Sequence, residues 1–202
     1  MSEGIADVFI IESLNLKDEK AERFEGRMLS QILKLNDKKS QYYYIRTKKE
    51  LNHVLQIFYD SGYKYLHISS HGNCEGLALT LDFIPFNTLA TLFEPYVENR
   101  RIFISACEMV SDELVKEFMP KTNCLSVIGP GVEINFDDAA IFWSSFYHLM
   151  FKTNSNVMKR DTLIRHLNAI STLFCININY YSRNKTRKGY HLRSFPSPRC
   201  LK

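Results

Sequence analysis

Tyr63-Lys64-Tyr65-Leu66-His67-Ile68-Ser69-Ser70-His71-Gly72 reads as a β-strand from Tyr63 to Ser69 that stops at a sharp exit. Its aromatic and apolar residues suit a pleated, buried surface, and Gly72 can take backbone conformations closed to other residues. Arg101-Ile102-Phe103-Ile104-Ser105-Ala106-Cys107 is a second run of the same kind. Its apolar residues alternate only weakly from Arg101 to Ala106, the pattern of a central strand buried on both faces. Two such strands, adjacent and parallel, would deliver His71 and Cys107 to the same edge of one sheet.

The flanking sequence supplies the rest of that sheet. Further strands are predicted at Ala6–Ile11, Gln41–Arg46, Cys124–Ile128 and Leu173–Tyr180, with a short hairpin around Leu77–Leu81. Helices are predicted over Leu16–Leu35, Phe86–Phe93, Ser111–Phe118, Asp137–Phe151 and Asp161–Thr172. Another starts after Thr47, which makes the capping-box pattern with Glu50, and runs to Tyr59. Strands alternating with helices imply an α/β fold with a mostly parallel sheet and helices on both faces. Sites in such sheets form at the carboxyl ends of strands, beside a switch in strand order.

Cysteine is a strong nucleophile only as a thiolate, and a neighbouring imidazole can take its proton or stabilise its charge. His71 and Cys107 each sit just past a predicted buried strand, which makes them the candidate pair. The Gly72 N–H, unobstructed by a side chain, can serve as an oxyanion donor in acyl transfer. The competing reading is a buried structural Cys and a His capping a turn. It would suffice for either residue alone, whereas the two together in this order favour chemistry.

Ile68-Ser69-Ser70-His71-Gly72 and Ile104-Ser105-Ala106-Cys107-Glu108 resemble the His-Gly and Ala-Cys signatures of caspase-like cysteine peptidases, most closely the bacterial CHAT branch. Gly76-Leu77-Ala78-Leu79, Val127-Ile128-Gly129, Asp138-Ala139-Ala140 and Phe146-Tyr147 continue that pattern in order. The resemblance covers residues 40–152 well and the rest loosely. It implies a caspase-like three-layer sandwich that cleaves peptide bonds after a selected P1 side chain. Cys107 would attack, His71 would act as acid and base, and Gly72 would help hold the oxyanion. It also implies a silent protease switched on by a sensor or regulatory protein, often in bacterial defence. Two departures stand out. Ser105, a candidate substrate-binding residue, replaces the Gln of caspases, and Met109 and Val110 stand where a Gly is expected after the nucleophile. A stiffer loop there would suit a catalytically inactive scaffold that only binds a partner, the alternative to a working protease.

The resemblance places the substrate-pocket strand at Gly129-Pro130-Gly131-Val132-Glu133-Ile134-Asn135, which holds no arginine. Glu133, with Asp137 and Asp138 just beyond, could pair with a basic P1 side chain. Aspartates at a helix start also cap the helix and suit its dipole, the more ordinary role. A small apolar pocket is the third option, so the expected P1 residue is basic or small and not Asp.

The chain has 202 residues, 45% hydrophobic and 24% charged, enough for one globular domain with a substantial core. The start lacks the basic, apolar pattern of a secretory signal, and no apolar run is long enough to span a membrane. A cytoplasmic location is expected. Five cysteines form no C-x-x-C pair, and the six histidines fall in no ligand spacing, so neither a metal nor a cofactor is expected. No acidic residue follows Asp161, while eight basic ones do; residues 1–161 hold the other 18 basic residues against all 22 acidic ones. A basic tail or edge strand at 182–202 on a domain of residues 1–181 follows. It carries no nucleic-acid motif, so nucleic acid is not an expected partner and a protein substrate is.

Overall fold

The computed structural model describes residues 5–153, 157–184 and 189–196. Five parallel strands form the body of the main sheet: β1 (Ile5–Glu12), β2 (Gln41–Tyr44), β3 (Tyr63–Ser69), β7 (Arg101–Ser105) and β8 (Ser126–Pro130). β9 (Ile178–Arg183) pairs antiparallel with β8, and β10 (Tyr190–Phe195) antiparallel with β9. The order across the sheet is β10-β9-β8-β7-β3-β1-β2. β2 and β3 lie on opposite sides of β1, so the strand order switches at β1. A small second sheet holds β4 (His71–Gly72), β5 (Gly76–Ala78) and β6 (Phe83–Pro85).

Helices α3 (Lys48–Ser61), α4 (Phe86–Phe93) and α5 (Asp112–Thr122) cover one face. Leu55, Phe58, Phe93 and Phe118 pack there against Phe9, Ile68, Ile102 and Ile104. Helices α2 (Glu25–Leu35), α6 (Phe136–Thr153) and α7 (Arg160–Phe174) cover the other, where Leu29, Trp143, Tyr147 and Leu167 meet Val8, Ile10, Tyr65 and Phe103. The expected three-layer α/β sandwich is what forms. β7 supplies both faces from alternate residues, and burial on two sides explains its weak polar alternation.

Several sequence readings shift. The last strand, expected at Leu173–Tyr180, is β9 at Ile178–Arg183, because Leu173 and Phe174 still belong to α7; the strand expected at Cys124–Ile128 is β8 at Ser126–Pro130, and β2 ends at Tyr44 rather than Arg46. Thr47 caps α3 with the reciprocal Glu50 contact, as expected, but the helix continues to Ser61 and closes on Gly62 in the left-handed region (φ 75°). α5 runs through Pro120 to Thr122 instead of stopping at Phe118. The larger change is that the single helix expected over Leu16–Leu35 is two. A short α1 (Leu16–Lys20), capped by the Asn15 side chain, ends in a turn with Glu22 at φ 57°, and α2 starts afresh at Glu25. No Gly or Pro marks this break, so helical periodicity runs across it. Of the tail, Tyr190–Phe195 is the edge strand; residues 185–188 and 197–202 lie outside the described residues.

Candidate active site

β3 and β7 are neighbours in register, with Ser69 opposite Ser105. The chain leaves both at the same edge, and His71 and Cys107 line one cavity together with Ser70, Ser105, Ile134 and Phe136. The Ser70 N–H bonds to the Ser105 carbonyl (3.0 Å) and its hydroxyl to the Ala78 carbonyl (2.6 Å), which fixes the turn that aims His71. The Cys107 turn is clasped from the other side. Glu108 N–H donates to the Val132 carbonyl and Val110 N–H to the Pro130 carbonyl, both at 3.1 Å. The Cys107 thiol itself donates to the Ile134 carbonyl, at 3.4 Å.

His71 has a partner that sequence reading missed. Its Nε2 stands 2.8 Å from Asp18 Oδ2, a buried carboxylate on α1. Asn15 Nδ2 also stands 3.0 Å from Nε2, so the role of that nitrogen follows the tautomer: when Nε2 carries the proton and donates to the carboxylate, Nδ1 is the nitrogen left to exchange one. Asp18 is itself held: Asn15 Nδ2 donates to Oδ2 (2.7 Å), Arg23 Nη1 pairs with Oδ1 (3.0 Å), and the Asp18 N–H bonds to Asn15 Oδ1. The break between α1 and α2 is what brings this carboxylate under the imidazole. Phe136 stands edge-on to the His71 ring at 5.3 Å, and the Arg23 guanidinium lies over the Phe136 ring at 5.8 Å.

The missing glycine after Cys107 has a physical answer. A Cβ on Gly72 would lie 2.5 Å from the Met109 side chain, so Met109 fills the space that Gly72 leaves. The close approach is made from the histidine side, and Glu108 itself takes the left-handed conformation (φ 56°). Asn73 N–H bonds to the Gly76 carbonyl, which makes that pair of the β4–β5 ladder a hydrogen-bonded one. Such pairs alternate, so Gly72 N–H turns away from β5.

The remaining candidates divide. Ser105 lies inside the cavity and donates to Glu25 Oε2 (2.9 Å). Glu133 is exposed on the rim of the outer cleft, about 650 Å³, which His71 and Cys107 share with Arg23, Phe136 and Asp137. Asp137 and Asp138 occupy the first turn of α6, where Asp138 accepts from Asn135 Nδ2 (3.2 Å).

Beneath the cavity lies a polar row that spans three strands. Glu12, Ser69 and Ser105 are register partners on β1, β3 and β7, all buried, and Glu25 at the start of α2 sits over them. Glu12 accepts from the N–H groups of Gly26 (2.7 Å) and Arg27 (3.1 Å) and from the Tyr42 hydroxyl (2.7 Å). Burial pushes its carboxyl up, the Tyr42 and Gly26 bonds oppose this, and the Glu25 charge adds to it. Burial likewise raises Cys124 to about 11, which marks that cysteine as an inert core residue.

No family model and no curated protein matches the chain. Solved structures do. A secreted C11 cysteine protease from Bacteroides thetaiotaomicron, bound to an irreversible peptide inhibitor, aligns with a TM-score of 0.54 at 11% identity. The Arg-specific cysteine proteinase gingipain R gives 0.56 at 12%, and caspase-1 from Spodoptera frugiperda 0.53 at 15%. These cover 88%, 93% and 85% of this chain. This is the caspase-like fold. The chain spans 66% of the C11 protease, 44% of gingipain R and 78% of the caspase. At these identities the likeness is one of fold. Among the described residues no helix is long and apolar enough to cross a membrane.

Proposed function

We propose that this chain is a cysteine endopeptidase of the CHAT type, with Cys107 as nucleophile, His71 as acid and base, and Asp18 positioning the imidazole. The observation that carries the reading is the 2.8 Å contact from His71 Nε2 to the buried Asp18 carboxylate, at the cavity that His71 shares with Cys107. A scaffold has no need to brace a part-exposed histidine with a buried carboxylate at a cavity it shares with a thiol. In this reading His71 Nδ1 takes the thiol proton and Cys107 Sγ attacks the scissile carbonyl. The Gly72 N–H receives the developing oxyanion. The amine leaves with the proton from His71, and water, deprotonated by His71, releases the acyl group.

The reading extends to control by a partner protein, in a cytoplasmic defence or signalling system. Its support is the resting state of the nucleophile: the thiol is engaged by the Ile134 carbonyl, and the same segment walls the cavity. Purified protein and Cys107→Ala should be incubated with peptidyl acyloxymethyl ketones. Labelling of the unmutated chain alone, mapped to Cys107, supports the protease. Equal labelling of both, or labelling confined to the exposed Cys74 and Cys175, rejects it.

A further inference from the structure

Ser69 stands two residues before His71, and Ser105 two residues before Cys107. They are register partners on the adjacent parallel strands β3 and β7, so their side chains project side by side from one face of the sheet. Both are buried, and both hydroxyls donate to the same atom, Glu25 Oε2, at 2.7 Å and 2.9 Å. Neighbouring strands lie about 4.8 Å apart, so an oxygen at those distances sits between the two and ties one to the other. The tie is made at the last residue pair of the β3–β7 register, just before the chain turns out to the histidine and the cysteine. The next acceptor near Ser69, Glu12 Oε1, is 3.5 Å away, at the outer limit for a hydrogen bond.

Glu25 is itself held still. It is buried in the first turn of α2, and the next two N–H groups of that helix, Gly26 and Arg27, are fixed on Glu12 of β1. A Cβ on Gly26 would stand 3.1 Å from Ile10 and 3.2 Å from Glu12, so the start of α2 lies directly against β1. Asp18, which meets the His71 ring, belongs to the helix just before. The α1–α2 segment therefore acts on the candidate pair at two levels, through Asp18 at the ring and through Glu25 at the strand ends.

We infer that Glu25 is a positioning residue for the catalytic pair: one carboxylate oxygen staples the histidine strand to the cysteine strand and sets the separation of His71 and Cys107. This rests on the protease reading above. It gives the Ser105 hydroxyl a task other than the substrate contact expected from the sequence. Ser105 and Glu25 both border the cavity, so that contact is the competing role, and kinetics separates the two.

The test is a double-substitution cycle with Ser69→Ala and Ser105→Ala, each of which removes one hydroxyl and little volume. A bridge is cut by losing either end. Each single variant should therefore lower kcat about 10-fold with KM little moved, within the roughly 10²-fold that a 1 Å misplacement can cost. The double variant should be no slower than the worse single one. Effects that multiply, an unchanged kcat, or a rise in KM alone overturn the staple. Glu25→Gln keeps an acceptor oxygen for both hydroxyls and should retain most of kcat, whereas Glu25→Ala should fall at least as far as the serine variants. Equal losses in these two also overturn it, and the serine cycle is read even where Glu25→Ala fails to fold. Iodoacetamide alkylation of Cys107, mapped apart from the exposed Cys74 and Cys175, reads the pair without any peptide. The reagent takes the thiolate, which His71 generates when correctly spaced, so the serine variants should slow it in the same non-additive way. Slowing without peptide cleavage keeps the staple and removes the protease. Unchanged or faster alkylation removes the staple.

Discussion

The two faces of the main sheet obey different rules. Beneath α3, α4 and α5 the strands present Phe9, Ile11, Leu66, Ile68, Ile102 and Ile104, an apolar surface to the end of every strand. Beneath α2 and α6 the same strands begin apolar and finish polar: Val8, Ile10, then Glu12; Tyr65, His67, then Ser69; Phe103, then Ser105. On that side Glu25 Oε1, His67 Nε2 and Trp143 Nε1 are buried without hydrogen-bond partners among the described residues. Buried polar groups are normally satisfied, and each exception asks for an explanation. Glu25 lies at the cavity beside the carboxyl ends of β3 and β7, and the other unpartnered atoms, among them Gln41 Oε1, Arg100 Nε and Ser182 Oγ, are spread over the rest of the domain. Both faces carry an apolar core, and only the α2–α6 face adds a polar row at the ends of its strands, next to the candidate site.

That division can be broken from either side. His71→Ala should lower kcat/KM by about 10²–10⁴-fold, the usual worth of a positioned acid and base. The melting temperature should stay within a few degrees, because the ring is part-exposed at the mouth. A large loss of stability would show that the site is also a structural element. Phe118→Ala, on the apolar face, should do the opposite. Phe118 is buried against Phe93 with ring centroids 5.4 Å apart, and its removal should cost about 3–5 kcal/mol in denaturant unfolding. Turnover per folded molecule should not change, and a drop would couple the two faces.

Asp18→Asn is the subtler cut, and it sharpens the comparison within the site. Asp18 lies behind His71 and is not among the residues lining the cleft, so kcat should fall about 10²-fold with KM little moved. A rise in KM instead would make Asp18 part of substrate binding. This residue also shows what sequence could and could not convey. The sheet, the three layers and the delivery of His71 and Cys107 to one sheet edge are legible because strand runs and exit turns are local. Even Glu12, Ser69 and Ser105 stand at the same parity at three strand ends. Asp18 and Glu25 are not legible in that way. They sit on what reads as one continuous charged helix, and only a turn without Gly or Pro, at Ala21–Phe24, separates them into two jobs. Asn15, a polar N-cap three residues before Asp18, was the one local signal. Likewise Met109 reads as the loss of a flexible glycine, while its fit against Gly72 is a contact across 37 residues that no spacing announces.

The smallest expected effect is a difference in sign. Glu12 belongs to the polar face and Glu50 to the capping box of α3 on the apolar one. Burial raises the Glu12 carboxyl above its ordinary 4.5, whereas the bond from the Arg46 backbone N–H lowers that of Glu50. A raised carboxyl holds its proton more tightly in the native state than in the unfolded chain. Between 4.5 and the raised value the native state therefore carries extra proton, and its stability falls as pH climbs. For Glu50 the unfolded chain carries the extra proton, so its contribution is present above 4.5 and is lost as pH drops through the lowered value. Glu12→Gln should remove the fall above 4.5, and it should lower stability overall by about 1–3 kcal/mol, since an amide cannot accept all three bonds. Glu50→Gln should flatten the acid side instead. Urea unfolding of the three proteins from acidic to neutral pH reads both slopes. If the two substitutions change the slope in the same region and with the same sign, burial of the polar row is not what distinguishes the two faces.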